Sequence, residues 1–166
     1  MKISYRKIYI RDLIPLYQLL NHPLIIKQLP YQEPLTFLQI SMLFFRLIFE
    51  KLCYIDHHMI IIADHHLIGL ITLKRSLYSD NNSVSFELDP RYWRMGIMSK
   101  ALTYFCQNLF KKYKDFNIYA YVSVSNQRSL NVLENCGFMA TEKQYCYFNN
   151  RSNQIPVYKF KKSHHE

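Results

Sequence analysis

The stretch Asp89-Pro90-Arg91-Tyr92-Trp93-Arg94-Met95-Gly96-Ile97-Met98-Ser99 joins two patterns of different period. Before it, Ser83–Leu88 alternates, with Val84, Phe86 and Leu88 on one face and Ser83, Ser85 and Glu87 on the other, as a strand does. After it, Ile97, Ala101, Phe105 and Leu109 recur at four-residue steps beside Met98, Leu102 and Phe110, as in a helix. Lys111, Lys112 and Lys114 suit the negative end of that helix. The unit is strand, loop, helix. The first helical N–H groups have no intrahelical partner and the helix dipole is positive there, so a phosphate is stabilised at that end. Gly96 would let the backbone approach such a group with no Cβ in the way, and Arg91, Arg94 and Lys100 add positive charge. The segment also reads, taken alone, as a plain β-to-α turn with a packed Trp93.

About thirty residues on comes Val124-Ser125-Asn126-Gln127-Arg128-Ser129, followed by a short helix over Ser129–Asn135 that Gly137 stops. An asparagine at a strand end can meet an extended, amide-bearing ligand with both its donor and its acceptor. The other reading is an asparagine that caps the helix.

The remaining elements fall on either side. Ile3–Tyr9 reads as a first strand, and Asp12 as the cap of a helix carrying Leu13, Leu16, Tyr17 and Leu20, which His22-Pro23 ends. A second helix is expected from near Thr36 to Leu52, with Phe37, Ile40, Phe44, Ile48 and Leu52 inward. Leu38, Phe45 and Phe49 make it apolar almost all round, which suits either a wall of an acceptor pocket or a homodimer contact. Met59–Ala63 and Leu67–Leu73 are apolar runs of strand length joined by Asp64-His65-His66, a hairpin inside a sheet. Asp80-Asn81-Asn82 reads as a loop. Ile118, Ala120, Val122 and Val124 alternate in a further strand, and Phe138–Phe148 with Ile155–Lys161 form a closing hairpin. The predicted order is β-α-α-β-β-β-α-β-α-β-β: one α/β domain over residues 1–166, a mixed sheet with helices on both faces.

Composition bounds the partners. The chain has 166 residues and a formal net charge of +9, which favours anionic partners without choosing among them. Cys53, Cys106, Cys136 and Cys146 include no Cys-x-x-Cys pair and no zinc spacing, so they read as reduced thiols in a cytoplasmic protein, and no metal site is expected. The paired histidines His57-His58, His65-His66 and His164-His165 read as loop and tail residues. The uncharged run Leu35–Phe45 is far shorter than the roughly 20 residues that span a bilayer. The many tyrosines and phenylalanines mostly fall at core-periodic positions, so nucleic acid ranks last among partners.

Together the two units resemble the GNAT superfamily of N-acetyltransferases, in particular its ribosomal-protein N-terminal acetyltransferase-like (Rim-type) branch. That branch reads "Asp-Pro-x-Tyr-Trp-Gly-x-Gly-Ile-x-x-x-Ala-Leu", then "Asn-x-x-Ser-x-x-Val-x-x-x-x-Gly-Phe". Here Asp89-Pro90-Arg91-Tyr92-Trp93, Gly96-Ile97, Ala101-Leu102, Asn126, Ser129, Val132 and Gly137-Phe138 fall into place. Gly69 matches the glycine of the family's "Ile-Gly-x-Ile" strand, so all three glycines land on family landmarks. The likeness is specific over Ser83–Phe138. Arg94 stands where the branch has a glycine, Met98 where the superfamily has a small residue, and Leu133 where many members carry a tyrosine general acid.

The resemblance implies a GNAT-like acyl-CoA N-acyltransferase fold, with a mostly antiparallel sheet of about seven strands. It implies acetyl-CoA as co-substrate, held by Leu88, Arg91, Trp93, Arg94, Met95, Gly96, Ile97, Met98, Ser99, Asn126 and Ser129. An acceptor amine, a protein N-terminus or a small molecule, would attack the thioester directly, with a strand N–H as oxyanion donor. Ser129 is the implied proton donor to the leaving thiolate. Glu87, next to the phosphate loop, is the base candidate, with a structural salt bridge to Arg91 or Lys100 as its other reading; Glu50 and Asp56 are fallbacks. A fold that binds CoA without turnover is the competing reading.

Overall fold

The computed structural model describes residues 1–28, 33–52, 57–74, 82–114, 116–147 and 154–163. Its elements are β1 (Ile3–Arg6), α1 (Leu13–Leu20), α2 (Pro23–Ile26), α3 (Phe37–Leu52), β2 (His58–Ala63), β3 (His66–Lys74), β4 (Asn82–Leu88), α4 (Ile97–Lys112), β5 (Asn117–Ser123), α5 (Gln127–Asn135), β6 (Met139–Tyr147) and β7 (Gln154–Ser163). The strands form a seven-stranded mixed sheet in the order β1-β2-β3-β4-β5-β7-β6. β4 and β5 run parallel, while β1–β2, β2–β3, β5–β7 and β6–β7 are antiparallel. The predicted mixed, mostly antiparallel sheet of about seven strands is the one observed.

The residues cluster into two compact units, neither of them one continuous stretch of chain: residues 1–72 with 86–97, and residues 73–85 with 98–166. The first holds β1–β3, α1–α3 and the end of β4. Its core gathers Ile8, Leu16, Leu19, Ile25, Ile40, Phe44, Leu47, Ile60 and Leu70. The continuous apolar runs predicted as a hairpin are β2, buried at every position, and β3. Ala63 pairs with His66, so the turn is Asp64-His65 alone, both residues at positive φ as a tight hairpin turn demands, and His66 belongs to the strand.

Several boundaries differ from the sequence reading, each for a local reason. β1 stops at Arg6 because Tyr9 enters a single 3-10 turn, Ile10–Asp12. Asp12 does not cap α1 with its side chain. Its carboxylate instead takes Arg6 Nη1 and Nη2 at 2.6 and 2.8 Å and the Tyr9 N–H at 2.7 Å. α1 ends before His22-Pro23, as predicted, but Pro23 also opens a further helix, α2, with His22 as its cap, since proline is well placed in a first turn. On α3 the buried residues are Ile40, Phe44 and Leu47; Phe37 and Leu52, predicted inward, are 52% and 70% exposed.

The second unit holds the start of β4, most of α4, and β5, α5, β6 and β7. Asn82, predicted in a loop, starts β4: it is buried, pairs with Ile118 and donates to the Asn117 carbonyl at 3.3 Å. Ile118, Ala120 and Val122 point inward from β5 as their alternation predicts. α4 buries Ile97, Ala101, Phe105 and Leu109 with Met98 and Leu102, as predicted. α5 starts at Gln127, earlier than Ser129, and ends before Gly137 at φ +74°. β6 and β7 are the predicted closing hairpin; its turn, with the predicted strand end at Phe148, lies outside the described residues.

Candidate active site

In the first unit, β4 ends on Glu87 and Leu88, and the chain then makes the Asp89–Gly96 loop. Asp89 organises it. Its carboxylate accepts the Arg91 N–H at 2.9 Å and pairs with the Arg91 guanidinium at 2.6 Å. Burial opposes its ionisation, but the hydrogen bonds from Arg91 outweigh that and hold the carboxyl below its ordinary value. The Arg91 charge is therefore half spent on its own loop, and the predicted alternative partner, Glu87, does not receive it. Sequence reading did not single out Asp89 as a site residue, although an Asp-Pro step is itself a turn-starting signal.

Trp93 is turned inward. Its indole N–H donates to the Leu88 carbonyl at 2.7 Å and its ring packs on the core of this unit, so it fixes the loop to the end of β4. Arg94 then adopts φ +63°, the left-handed region that non-glycine residues enter at a cost of about 1–2 kcal/mol. The glycine expected there from the family pattern is replaced without changing the backbone course a glycine would permit. Gly96 follows at φ +70°, and a Cβ built on it would meet nothing within 4 Å. The space beside Gly96 is open where α4 begins, with its unpaired N–H groups. Met95 is exposed, while Ile97 is buried.

The backbone approach that Gly69 provides lies on the strand side of the loop. A Cβ there would stand 2.9 Å from the Glu87 carbonyl oxygen and 3.1 Å from Leu88 Cδ1, so only glycine lets β3 lie this close to the end of β4. Glu87 itself is partly exposed, yet loss of surrounding water pushes its pKa up to about 7. Among the described residues no ion pair offsets that desolvation. A carboxyl that titrates near neutrality is matched to proton abstraction at physiological pH.

In the second unit, Met98 is buried, as its bulk requires, and the Ser99 carbonyl accepts the Cys136 thiol at 3.2 Å. Asn126 caps α5: its Oδ1 accepts the Ser129 N–H at 3.2 Å. That commits the acceptor half of the amide to the helix and leaves Nδ2 as the half that can serve a ligand. Ser129 sits half-buried in the first turn, and Leu133, where a tyrosine acid is common in the family pattern, is fully buried. Cys106 and Cys136 are buried too, and desolvation pushes both thiols up, Cys106 to about 12, so neither is poised as a nucleophile.

The fallback Glu50 faces the buried His58, with 3.5 Å between Oε2 and Nδ1, and burial raises its pKa against the pull of Arg46 and Lys7. His58 is thus a strand residue, not the loop histidine predicted: the run of apolar neighbours carries it into β2, where its Nε2 accepts the Ile8 N–H at 3.4 Å. Asp56, Cys53, His164 and His165 lie outside the described residues. Among the described residues no group of histidine, cysteine and carboxylate side chains could hold a metal ion. No described helix is long and apolar enough to cross a membrane.

Residues 2–139 match the family of acetyltransferase (GNAT) domains. Among solved structures, the chain is similar to a GNAT-family acetyltransferase from Bacillus anthracis, with TM-score 0.83 and 17% identity over 100% of this chain and 97% of that one. It is also similar to the ribosomal-protein-S5-alanine acetyltransferase of Vibrio fischeri, with TM-score 0.82 and 17% identity over 99% and 94%. A third is the spermidine N-acetyltransferase of Vibrio cholerae, solved with CoA and spermine, with TM-score 0.78 and 18% identity over 98% and 96%. No curated protein matches the chain in sequence.

Proposed function

This chain belongs to the acetyltransferase (GNAT) domain family, and we propose that it is an acetyl-CoA-dependent N-acetyltransferase of the cytoplasm acting on a primary amine, either a protein N-terminus or a small molecule. The observation that carries this reading is the start of α4: two left-handed positions on either side of Met95, Arg94 and Gly96, with open space beside Gly96 and a helix N-terminus behind it. A pyrophosphate suits that place by charge and by room. Two of the similar structures are enzymes acting on amines, one on an alanine of a ribosomal protein and one on spermidine.

Acetyl-CoA supplies the activated acyl group as a thioester. The chain supplies the rest. Backbone N–H groups from Gly96 to Ser99 hold the phosphates, aided by the exposed charge of Arg94 and the partly neutralised Arg91. Asn126 donates through Nδ2 to the amide-bearing arm of the co-substrate. Glu87 takes the proton of the acceptor ammonium, directly or through water, because a base with pKa about 7 is about half ionised near neutral pH and still accepts protons readily. Ser129 is the proton donor to the departing thiolate. Arg94 keeps a glycine-like backbone path, so its replacement of a glycine does not by itself favour a binding module without turnover.

The test is thiol release from acetyl-CoA across an amine panel, followed by the pH profile on the best acceptor. In the wild type kcat/KM is expected to rise through a pKa near 7 and to fall roughly 100-fold in Glu87→Gln with that limb lost. Gly96→Glu is expected to abolish CoA binding while leaving the far-ultraviolet spectrum intact. Tight CoA binding with no thiol release on any amine would establish the binding module instead.

A further inference from the structure

Helix α3 carries two apolar faces. Ile40, Phe44 and Leu47 are buried in the core of the first unit. Leu38, Met42, Phe45, Phe49 and Leu52 point away from it and are 70%, 66%, 65%, 63% and 70% exposed. They are spaced four, three, four and three residues apart along nearly the whole helix, the alternation by which one helix packs along another. Taking about 200 Å² for a fully exposed large side chain, the stripe offers on the order of 700 Å² of surface. A specific protein–protein interface takes about 800 Å² from each partner, and a continuous apolar patch of this size is rare on a protein that works alone.

We propose that this stripe is the contact surface of a homodimer, in which α3 packs antiparallel against α3 of a second copy about a two-fold axis at Phe45. The pattern of the stripe selects a second copy as its occupant. Leu38 lies seven residues before Phe45 and Leu52 seven after; Met42 lies three before and Phe49 four after. An antiparallel copy centred on Phe45 therefore sets Leu38 on Leu52 and Met42 on Phe49, each contact made twice, as a two-fold interface requires. The pairing puts each Phe49 ring opposite a flexible Met42, and it opposes the two helix dipoles. The Phe45 ring is braced edge-on by the buried Phe44, 5.7 Å between centroids, so the centre of the contact is held from inside its own unit. Arg46, the exposed charge next to Phe45, is met within its own helix by Glu50 at 3.7 Å. The inference rests on α3 alone and does not depend on the acetyl-transfer reading.

Sedimentation equilibrium of the full chain tests it. The wild type is expected to be dimeric at micromolar concentration, and Phe45→Glu to raise the dimer dissociation constant by roughly 100-fold or more with an unchanged far-ultraviolet spectrum. Cysteines introduced one at a time, in a chain carrying Cys53→Ser and Cys146→Ser, then fix the geometry, with cross-links mapped by mass spectrometry. Phe45→Cys should oxidise to a disulfide with itself, whereas Leu38→Cys and Leu52→Cys should cross-link only when mixed. This second readout stands even where Phe45→Glu fails to fold. A monomeric wild type, a dimer indifferent to Phe45→Glu, or a Leu38→Cys chain that cross-links with itself would each overturn the proposal. Binding of a monomeric wild type to anionic vesicles, lost in Phe45→Glu, would assign the stripe to a membrane surface and overturn it as well.

Discussion

At the scale of single residues, the loop before α4 shows how a departure from the family pattern can keep the pattern's geometry. Arg94 stands in the left-handed region at φ +63°, so its side chain brings charge at the expense of backbone strain. Arg94→Gly is expected to stabilise the fold by about 1 kcal/mol, read as a higher urea midpoint at constant slope, while weakening CoA binding several-fold. Glu87 makes the opposite compromise. Its pKa of about 7 lies above the value of an unfolded chain, so its contribution to stability is present in full below pH ~4.5 and is lost as pH rises through about 7. Glu87→Gln, which keeps the shape and cannot ionise, should therefore be more stable than the wild type at pH ~8 and indistinguishable from it at pH ~4, by roughly 1–3 kcal/mol at the upper end. A denaturation series across pH checks this. The identity of these residues was legible in the sequence; the desolvation of Glu87 was not, because it depends on what covers the end of β4.

At the scale of elements, Asn126 has two readings, and the structure shows the one as a helix cap. Its Oδ1 caps α5, and Nδ2 is turned over to the co-substrate in the proposed function. Asn126→Ala removes both roles and is expected to cost about 1 kcal/mol of stability along with CoA affinity. Asn126→Asp keeps the cap and replaces the donor by a charge, so stability should hold while the KM for acetyl-CoA rises at least about 10-fold. A parallel fall of stability and affinity in both variants would leave the residue as a cap alone. Element types were legible wherever a period ran unbroken: β2 and β3 as apolar runs, β4 and β5 by alternation, α4 by its four-residue steps. The failures fall at ends, where local polar bonds decide. The Arg6–Asp12 pair draws Asp12 away from capping α1, desolvation of its carboxyl being outweighed by bonds from Arg6 and the Tyr9 N–H. The Asn82–Asn117 contact makes a strand start out of a predicted loop residue.

At the scale of the whole molecule, a net charge of +9 and a pI near 9.4 give a field that draws anions. The KM for acetyl-CoA is expected to rise several-fold between about 50 and 500 mM salt with kcat nearly constant, since screening shortens the reach of that field. Stopped-assay kinetics at several ionic strengths would show it, and a salt-independent KM would place the binding energy in the hydrogen bonds of the loop alone. The sequence by itself determined the family, the element order apart from α2, and the loop before α4 proposed to hold the phosphates, because glycines, prolines and periodicities are local constraints that each residue carries with it. Tertiary structure alone decided that Trp93 closes on the Leu88 carbonyl, that Arg91 belongs to Asp89, that Glu87 titrates near 7, and that the outer face of α3 stays uncovered. Those outcomes turn on which groups lose water and to whom. That is a property of residues brought together from distant positions, and no stretch of the chain encodes it on its own.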